Sequence, residues 1–260
     1  MYFEAYLRAM YRLPESNDLR RMRRVLAVSA TRLINARGVT SQQGKADALL
    51  LTMSSNRYVY GVVEKADFEF DADAVAGADR VYTVDYRSLS AVVSDIDTTD
   101  PERTDEDSKA HDEVLRQVLE HDDVGAVVPM QFGMAFKDNR TLKSVLRSAM
   151  RAFRKALREV DGHVELGVKL VADEDADYSR DSIREDVGER LSALAESETE
   201  DDLFSDRLVL NRSYLVAMDD REAFDDVVAD VREEYDDLTV QYTGPWAPYN
   251  FVDIHIGAQR

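Results

Sequence analysis

The chain contains no cysteine, and this absence removes three kinds of chemistry at once. Disulfide cross-links, cysteine nucleophiles and cysteine-based metal sites are all excluded. Long apolar runs are missing too, because no stretch approaches the ~18 residues that a membrane-spanning helix needs. The N-terminus has no uninterrupted apolar core followed by a small-residue cleavage site, as a secretory signal peptide would have. We therefore expect a cytoplasmic protein with no membrane partner.

Sequence signatures of catalysis are scarce as well. The four histidines, His111, His121, His163 and His255, include no pair at the i, i+4 spacing of a helical metal site. No glycine-rich phosphate loop occurs, and no serine lies in a G-x-S-x-G turn. We expect no enzymatic activity, no catalytic residue, no metal and no cofactor.

Lysine is the rarest charged residue, with 7 lysines against 26 arginines, while 33 aspartates stand against 19 glutamates. The 33 basic and 52 acidic side chains give a net charge of −19. Short carboxylates hold water and cations densely at a surface, and concentrated salt screens their mutual repulsion. This composition predicts a protein of a salt-loving organism.

Charge is distributed unevenly along the chain. Residues 1–57 hold ten basic and four acidic side chains, a net charge of +6, whereas residues 58–260 hold 23 and 48, a net charge of −25. One interpretation of 1–57 is a basic arm for nucleic acid or anionic lipid. The other, which we favour, is that 1–57 is an unstructured extension or a misassigned start and that the protein opens at Met53, with no nucleic-acid partner.

The alternation of strand and helix patterns from Tyr58 onward predicts an α+β fold with two subdomains, at 58–137 and 138–260. Strand patterns recur at 163–172 and 207–218, and 248–256 is also strand-like. Helices separate them, and the acidic stretch 196–202 is typical of a solvated linker. We expect the second subdomain to be ferredoxin-like, led by one long helix.

That long helix, predicted at 138–160, is amphipathic in an unusual way. Apolar residues recur every three or four positions and Asp161-Gly162 ends the pattern. The opposite side collects seven of the 23 basic residues of 58–260: Arg140, Lys143, Arg147, Arg151, Arg154, Lys155 and Arg158. In so acidic a chain we expect this stripe to contact acidic residues, either in the chain's own segments DEDAD (173–177) and 196–202 or on a partner. The alternative is an ordinary solvated face. We include the stripe, without Lys155, among the candidate interface residues.

The segment YTGPWAPYNFV (242–252) contains the single tryptophan and two of the five prolines. Prolines restrict the backbone, so aromatic side chains between them are presented rigidly. Tyr242, Trp246 and Tyr249 are therefore candidate interface residues. The competing interpretation is a turn whose tryptophan fills the core, and the sequence favours neither.

Several segments occur in a characteristic order: VYGVV, VDYRSLSAVVSD, an H-x-x-V-L helix, VVPMQFGMAF, VELGVKL, LVLNRSYLV and YTGPWAPYNFV. Over residues 58–260 they resemble the gas vesicle protein L/F (GvpL/GvpF) family of the halophilic archaeal type. One departure is Gln131, where members usually carry arginine.

The resemblance implies a two-part α+β fold with a ferredoxin-like C-terminal part. It also implies a non-enzymatic accessory protein of gas vesicle assembly, associated with gas vesicles in the cytoplasm. Its implied partners during nucleation are the major shell protein and other accessory proteins. The alternative is a ferredoxin-like small-molecule-binding regulatory module, which would need a ligand pocket at a sheet edge.

The charge of −25 on residues 58–260 predicts a salt-dependent fold. At millimolar KCl the carboxylates repel one another over long distances, whereas molar KCl screens them. We expect circular dichroism to show a cooperative loss of structure on dialysis from molar to millimolar KCl. Identical melting curves in the two salts would contradict this expectation.

Overall fold

A computed structural model of the protein describes residues 55–172, 179–203, 205, 207–235 and 237–254. The proposed start at Met53, nearly all of the basic extension and the DEDAD segment lie outside these ranges. No helix within them is long and apolar enough to cross a membrane.

The first half of the described chain builds an antiparallel sheet with two helices. Its strands are β1 (Asn56–Glu64), β2 (Glu69–Asp71), β3 (Arg80–Tyr86), β4 (Leu89–Ile96), β5 (Val127–Pro129) and β6 (Ala135–Phe136), and its helices are α1 (Asp105–Leu119) and α2 (Asn139–Glu159). The strand order is β2-β3-β4-β1-β5, with β6 also pairing with β1, and every pairing is antiparallel.

The first sheet is buried on both sides, which the strand β1 illustrates. Tyr58 and Tyr60 belong to one buried cluster with α1, whereas Val59 and Val62 belong to a second cluster with α2. The pairing of β1 with β4 shifts register between Val59 and Gly61, so that Val59 and Val62, three residues apart, face the same side of the sheet. A side chain at Gly61 would meet Val127 Cγ2 at 2.7 Å, so only glycine fits where β1 approaches β5.

The second half forms a second antiparallel sheet. Its elements are β7 (His163–Ala172), α3 (Arg180–Ser192), β8 (Ser197–Glu200), β9 (Leu208–Ala217), α4 (Arg221–Glu234) and β10 (Leu238–Trp246). The strand order is β10-β7-β9-β8, so β9 lies between β7 and β8 in a split β-α-β arrangement. The buried cluster that contains α1 continues into this sheet and its helices α3 and α4.

The predicted α+β fold with two parts is therefore confirmed, but three local expectations differ from the structure. The acidic stretch expected to be a linker forms the edge strand β8, whose polar side chains suit an exposed edge. The expected strand at 248–256 is a short 3₁₀ turn at Tyr249–Phe251 followed by irregular chain to residue 254. The long helix, grouped by sequence with the second part, packs on the strands of the first sheet.

The packing of α2 makes a testable contribution to stability. Phe153 is 0% exposed and lies in the cluster between α2 and the first sheet. We expect Phe153→Ala to lower the free energy of unfolding by about 3–5 kcal/mol, because it leaves a cavity. The control Ser144→Ala changes an exposed position of the same helix and is expected to stay within ~0.5 kcal/mol. Equal effects of the two substitutions in denaturant titrations at high salt would contradict the packing described here.

Candidate functional site

The apolar side of α2 fixes which of its residues reach the surface. Leu142, Leu146 and Leu157 are buried with Phe153 against the first sheet. At the start of the helix, the Asp138 carboxylate accepts a hydrogen bond of 2.7 Å from the Thr141 N–H, which caps the helix. Because one side is held on the sheet, the opposite side points outward.

That outward side carries the predicted basic residues, which we call the α2 basic stripe. All are exposed except the half-buried Lys143: Arg140, Lys143, Arg147, Arg151, Arg154, Lys155 and Arg158. The stripe spans 18 residue steps, from Arg140 to Arg158, which corresponds to about 27 Å of helix. The structure thus brings the first group of predicted site residues together on one surface.

Several arginines of other elements are paired with acid nearby. Three examples are contacts within the fold. Arg57 lies 2.6 Å from Asp95. Arg116 bridges Glu113 and Glu120, and Arg190 bridges Asp186 and Glu234. On the stripe, Lys155 pairs with Glu159 at 3.1 Å. No carboxylate of the described residues lies within ion-pair distance of Arg147, Arg151, Arg154 or Arg158.

The acidic segment 196–202 does not neutralise the stripe. Its Glu198 and Glu200 carboxylates lie 3.4 and 3.5 Å from the Arg212 guanidinium instead. The other internal candidate, DEDAD, lies outside the described residues. Among the described residues, no carboxylate therefore pairs with Arg147, Arg151, Arg154 or Arg158, and these four arginines face solvent or a partner.

The second group of predicted residues, in 242–252, contacts the protein itself. The Tyr242 hydroxyl donates to Asp225, and its ring lies 6.1 Å from that of Phe224 on α4. The Tyr249 ring lies 6.5 Å from that of His111 on α1. Trp246 is half-buried at the end of β10. For Tyr242 and Tyr249 these contacts favour an intramolecular role over presentation to a partner.

A buried carboxylate holds the end of this segment in place. Glu165, on β7, is only 6% exposed. The Asn250 N–H and side-chain Nδ2 donate to its two oxygens at 2.9 and 2.7 Å, and Nδ2 also donates to Ser213 Oγ at 3.0 Å. Burial raises the pKa of Glu165, an effect that the Asn250 and Ser213 hydrogen bonds oppose. The contact ties residue 250 to the second sheet, 85 residues away in sequence.

A buried chain of hydrogen bonds positions the turn that follows β5. The Gly133 N–H donates to the Tyr58 hydroxyl at 3.3 Å, and that hydroxyl lies 2.8 Å from His111 Nδ1. Because Met130 O can only accept, His111 Nε2 is the donor across their 3.1 Å contact, and Nδ1 accepts from Tyr58. Burial lowers the pKa of His111 to about 4, which matches the neutral ring that this arrangement requires.

Glu165, Asn250 and Tyr58 were not singled out from the sequence. The one available signal was a carboxylate inside the otherwise apolar strand HVELGVKLVA; nothing in the pattern indicates that Asn250 is its partner. The alternative small-molecule function would need a ligand pocket at a sheet edge. The sheet-edge cleft between α3 and β8 is open, and Arg212, Glu198 and other charged side chains line it.

Comparison with known proteins gives a consistent result. The family model described as gas vesicle synthesis protein GvpL/GvpF matches residues 56–181 and 176–253. Gas vesicle protein F of Haloferax mediterranei is 64% identical over 209 residues, which cover 80% of this chain and 98% of that protein. Gas vesicle protein F1 of Halobacterium salinarum is 59% identical over 208 residues, with coverage of 80% and 98%.

Two crystal structures share the fold. Gas vesicle protein GvpF from Anabaena sp. PCC7120 superposes with a TM-score of 0.70 at 19% identity, over 80% of this chain and 100% of that one. Gas vesicle protein GvpF from Microcystis aeruginosa superposes with a TM-score of 0.65 at 17% identity, over 77% and 100%. At these identities the superpositions establish the fold.

The Glu165–Asn250 contact predicts a measurable loss of stability. Asn250→Ala removes the two side-chain hydrogen bonds, to Glu165 and to Ser213, and leaves the buried carboxylate with one donor fewer. The backbone bond can survive, so we expect a loss of about 1–3 kcal/mol in the free energy of unfolding. Gln131→Ala, at an exposed position, is the control and is expected to be neutral. An Asn250→Ala protein as stable as wild type would show that the clamp contributes nothing.

Proposed function

Because this chain belongs to the GvpL/GvpF family of gas vesicle synthesis proteins, we propose that it is an accessory protein of gas vesicle assembly. In this role it binds other gas vesicle accessory proteins and the major shell protein during nucleation. It works by contact and not by chemistry, in the cytoplasm and in association with gas vesicles. The supporting relatives are named gas vesicle protein F and come from halophilic archaea.

The observation that carries the proposal is the α2 basic stripe. Four exposed arginines, with no carboxylate of the described residues within ion-pair distance, stand on a protein whose residues 58–260 carry a net charge of −25. A partner from the same acidic proteome offers the carboxylates that the stripe lacks. Complementary charge then sets the orientation of the partner and the rate of association.

Arginine suits this role in concentrated salt. At 1 M ionic strength the Debye length is about 3 Å, so long-range attraction is lost and contact pairs remain. A guanidinium forms two parallel hydrogen bonds with one carboxylate, which adds geometry to charge. A stripe with five arginines and two lysines is consistent with contact pairing of this kind.

For the proposed binding of shell protein, the described residues point to a contact surface less clearly than for the proposed binding of accessory proteins. Met218, 44% exposed, is the one large apolar side chain of the described residues that is largely exposed. The described residues therefore offer few largely exposed apolar side chains to an apolar shell subunit. Trp246, which is half-buried, remains a candidate for this contact. Co-purification of the tagged chain with shell protein from a vesicle-forming cell tests this binding.

Reversing the stripe tests the proposal directly. We expect Arg147→Glu, Arg151→Glu and Arg158→Glu together to preserve the fold at high salt, because all three side chains are exposed. Binding to another gas vesicle accessory protein should fall by about tenfold or more, since like charges then face each other. The measurement is a pull-down at molar KCl with each accessory protein in turn.

The control for this test reverses Lys65, Arg87 and Lys109, which are exposed outside α2 and change the net charge equally. It should bind like wild type. A stripe variant that binds every accessory protein as well as wild type would refute the stripe as the docking surface.

A further inference from the structure

A second charged stripe lies on α4, on the other sheet. Its members are exposed, and no cation of the described residues lies within ion-pair distance of any of them: Glu222, Asp226, Asp230 and Glu233. We call them the α4 acidic stripe. Their acidic neighbours behave differently, since Asp225 contacts Arg221 and Glu234 contacts Arg190. The fold thus leaves acid unpaired on α4 and base unpaired on α2.

The two stripes match in length and are similar in spacing. The four unpaired arginines of α2 occupy positions 147, 151, 154 and 158, and the carboxylates of α4 occupy 222, 226, 230 and 233. Each set spans eleven steps, which is about 16 Å of helix. At ~100° per residue, each set falls within a sector of about 60–80° on its helix. Two such helices laid side by side bring four cations opposite four carboxylates.

We propose that the α2 basic stripe of one copy docks on the α4 acidic stripe of a second copy. The two stripes stand on helices that pack on different sheets, so neither helix can cover the other within one fold as described. The contact is heterologous, because it joins different surfaces of the two copies. A docked pair therefore keeps a free acidic stripe at one end and a free basic stripe at the other. Such contacts extend head to tail into an open array, or close into a ring.

Salt decides when this contact forms. At low ionic strength the net negative charge keeps copies apart, whereas molar salt screens that repulsion and leaves arginine–carboxylate contact pairs in place. One pair of helices buries less surface than a standard stable interface. The association is therefore weak, concentration-dependent and best measured in molar KCl.

This inference rests on the proposed function in one respect, the use of the α2 basic stripe for docking. Self-association and binding of an accessory protein then compete for the same arginines. An accessory protein that occupies the stripe ends the growth of an array at that copy. The number of copies gathered together thus depends on how much of the other partner is present.

The test is sedimentation velocity of the full chain over a concentration series in molar KCl. One variant reverses the basic stripe through Arg147→Glu, Arg151→Glu and Arg158→Glu. The other reverses the acidic stripe through Glu222→Arg, Asp226→Arg and Glu233→Arg. We expect wild type to associate as its concentration rises and each variant alone to remain monomeric.

Mixing the two variants separates this contact from any other. The first variant keeps an intact acidic stripe and the second an intact basic stripe, and their two reversed stripes are complementary as well. The mixture should therefore associate as its concentration rises, although each variant alone does not. A chain carrying both reversals should associate again, as wild type does. A monomeric wild type, or association that either variant leaves unchanged, overturns the inference. If that wild-type monomer still binds accessory proteins, the proposed function stands and only self-docking fails.

Discussion

The burial of one side of α2 against the first sheet determines both how the helix is packed and which of its charges reach the surface. Leu142, Leu146, Phe153 and Leu157 leave the helix only one orientation, because turning it would expose them and bury charge. The same constraint that stabilises the first sheet therefore displays the arginines outward. Core packing and surface charge are two consequences of one sequence period.

Buried polar contacts complete the fold where the two parts meet. Glu165 and Asn250 fasten the C-terminal segment to the second sheet, while the Tyr58–His111 pair orders the turn after β5 beside α1. Tyr249 lies between these contacts, near His111. A buried polar group is costly when it loses its partner, so these contacts specify the arrangement of the segments and do not merely add attraction.

The sequence predicts best what depends on local periodicity. The α2 helix and its basic stripe follow from a 3.6-residue period, and β7 occupies the predicted 163–172 because its apolar run is long and bounded by clear breaks. The edge strand β8 was missed since an exposed edge needs no apolar residues. Which sheet receives α2, and that Asn250 binds Glu165, depend on contacts between distant segments, about which local patterns say nothing.

The central claim, that the α2 basic stripe meets acid on another gas vesicle accessory protein, is most directly tested by zero-length carbodiimide cross-linking of the reconstituted complex in molar KCl. This reagent joins a lysine only to a carboxylate in contact with it, and the stripe contains two lysines, Lys143 and Lys155. We expect mass spectrometry to find these two lysines joined to carboxylates of the accessory protein. Cross-links to that protein from Lys65, Lys109 or Lys169, with Lys155 joined only to its own Glu159, would contradict it.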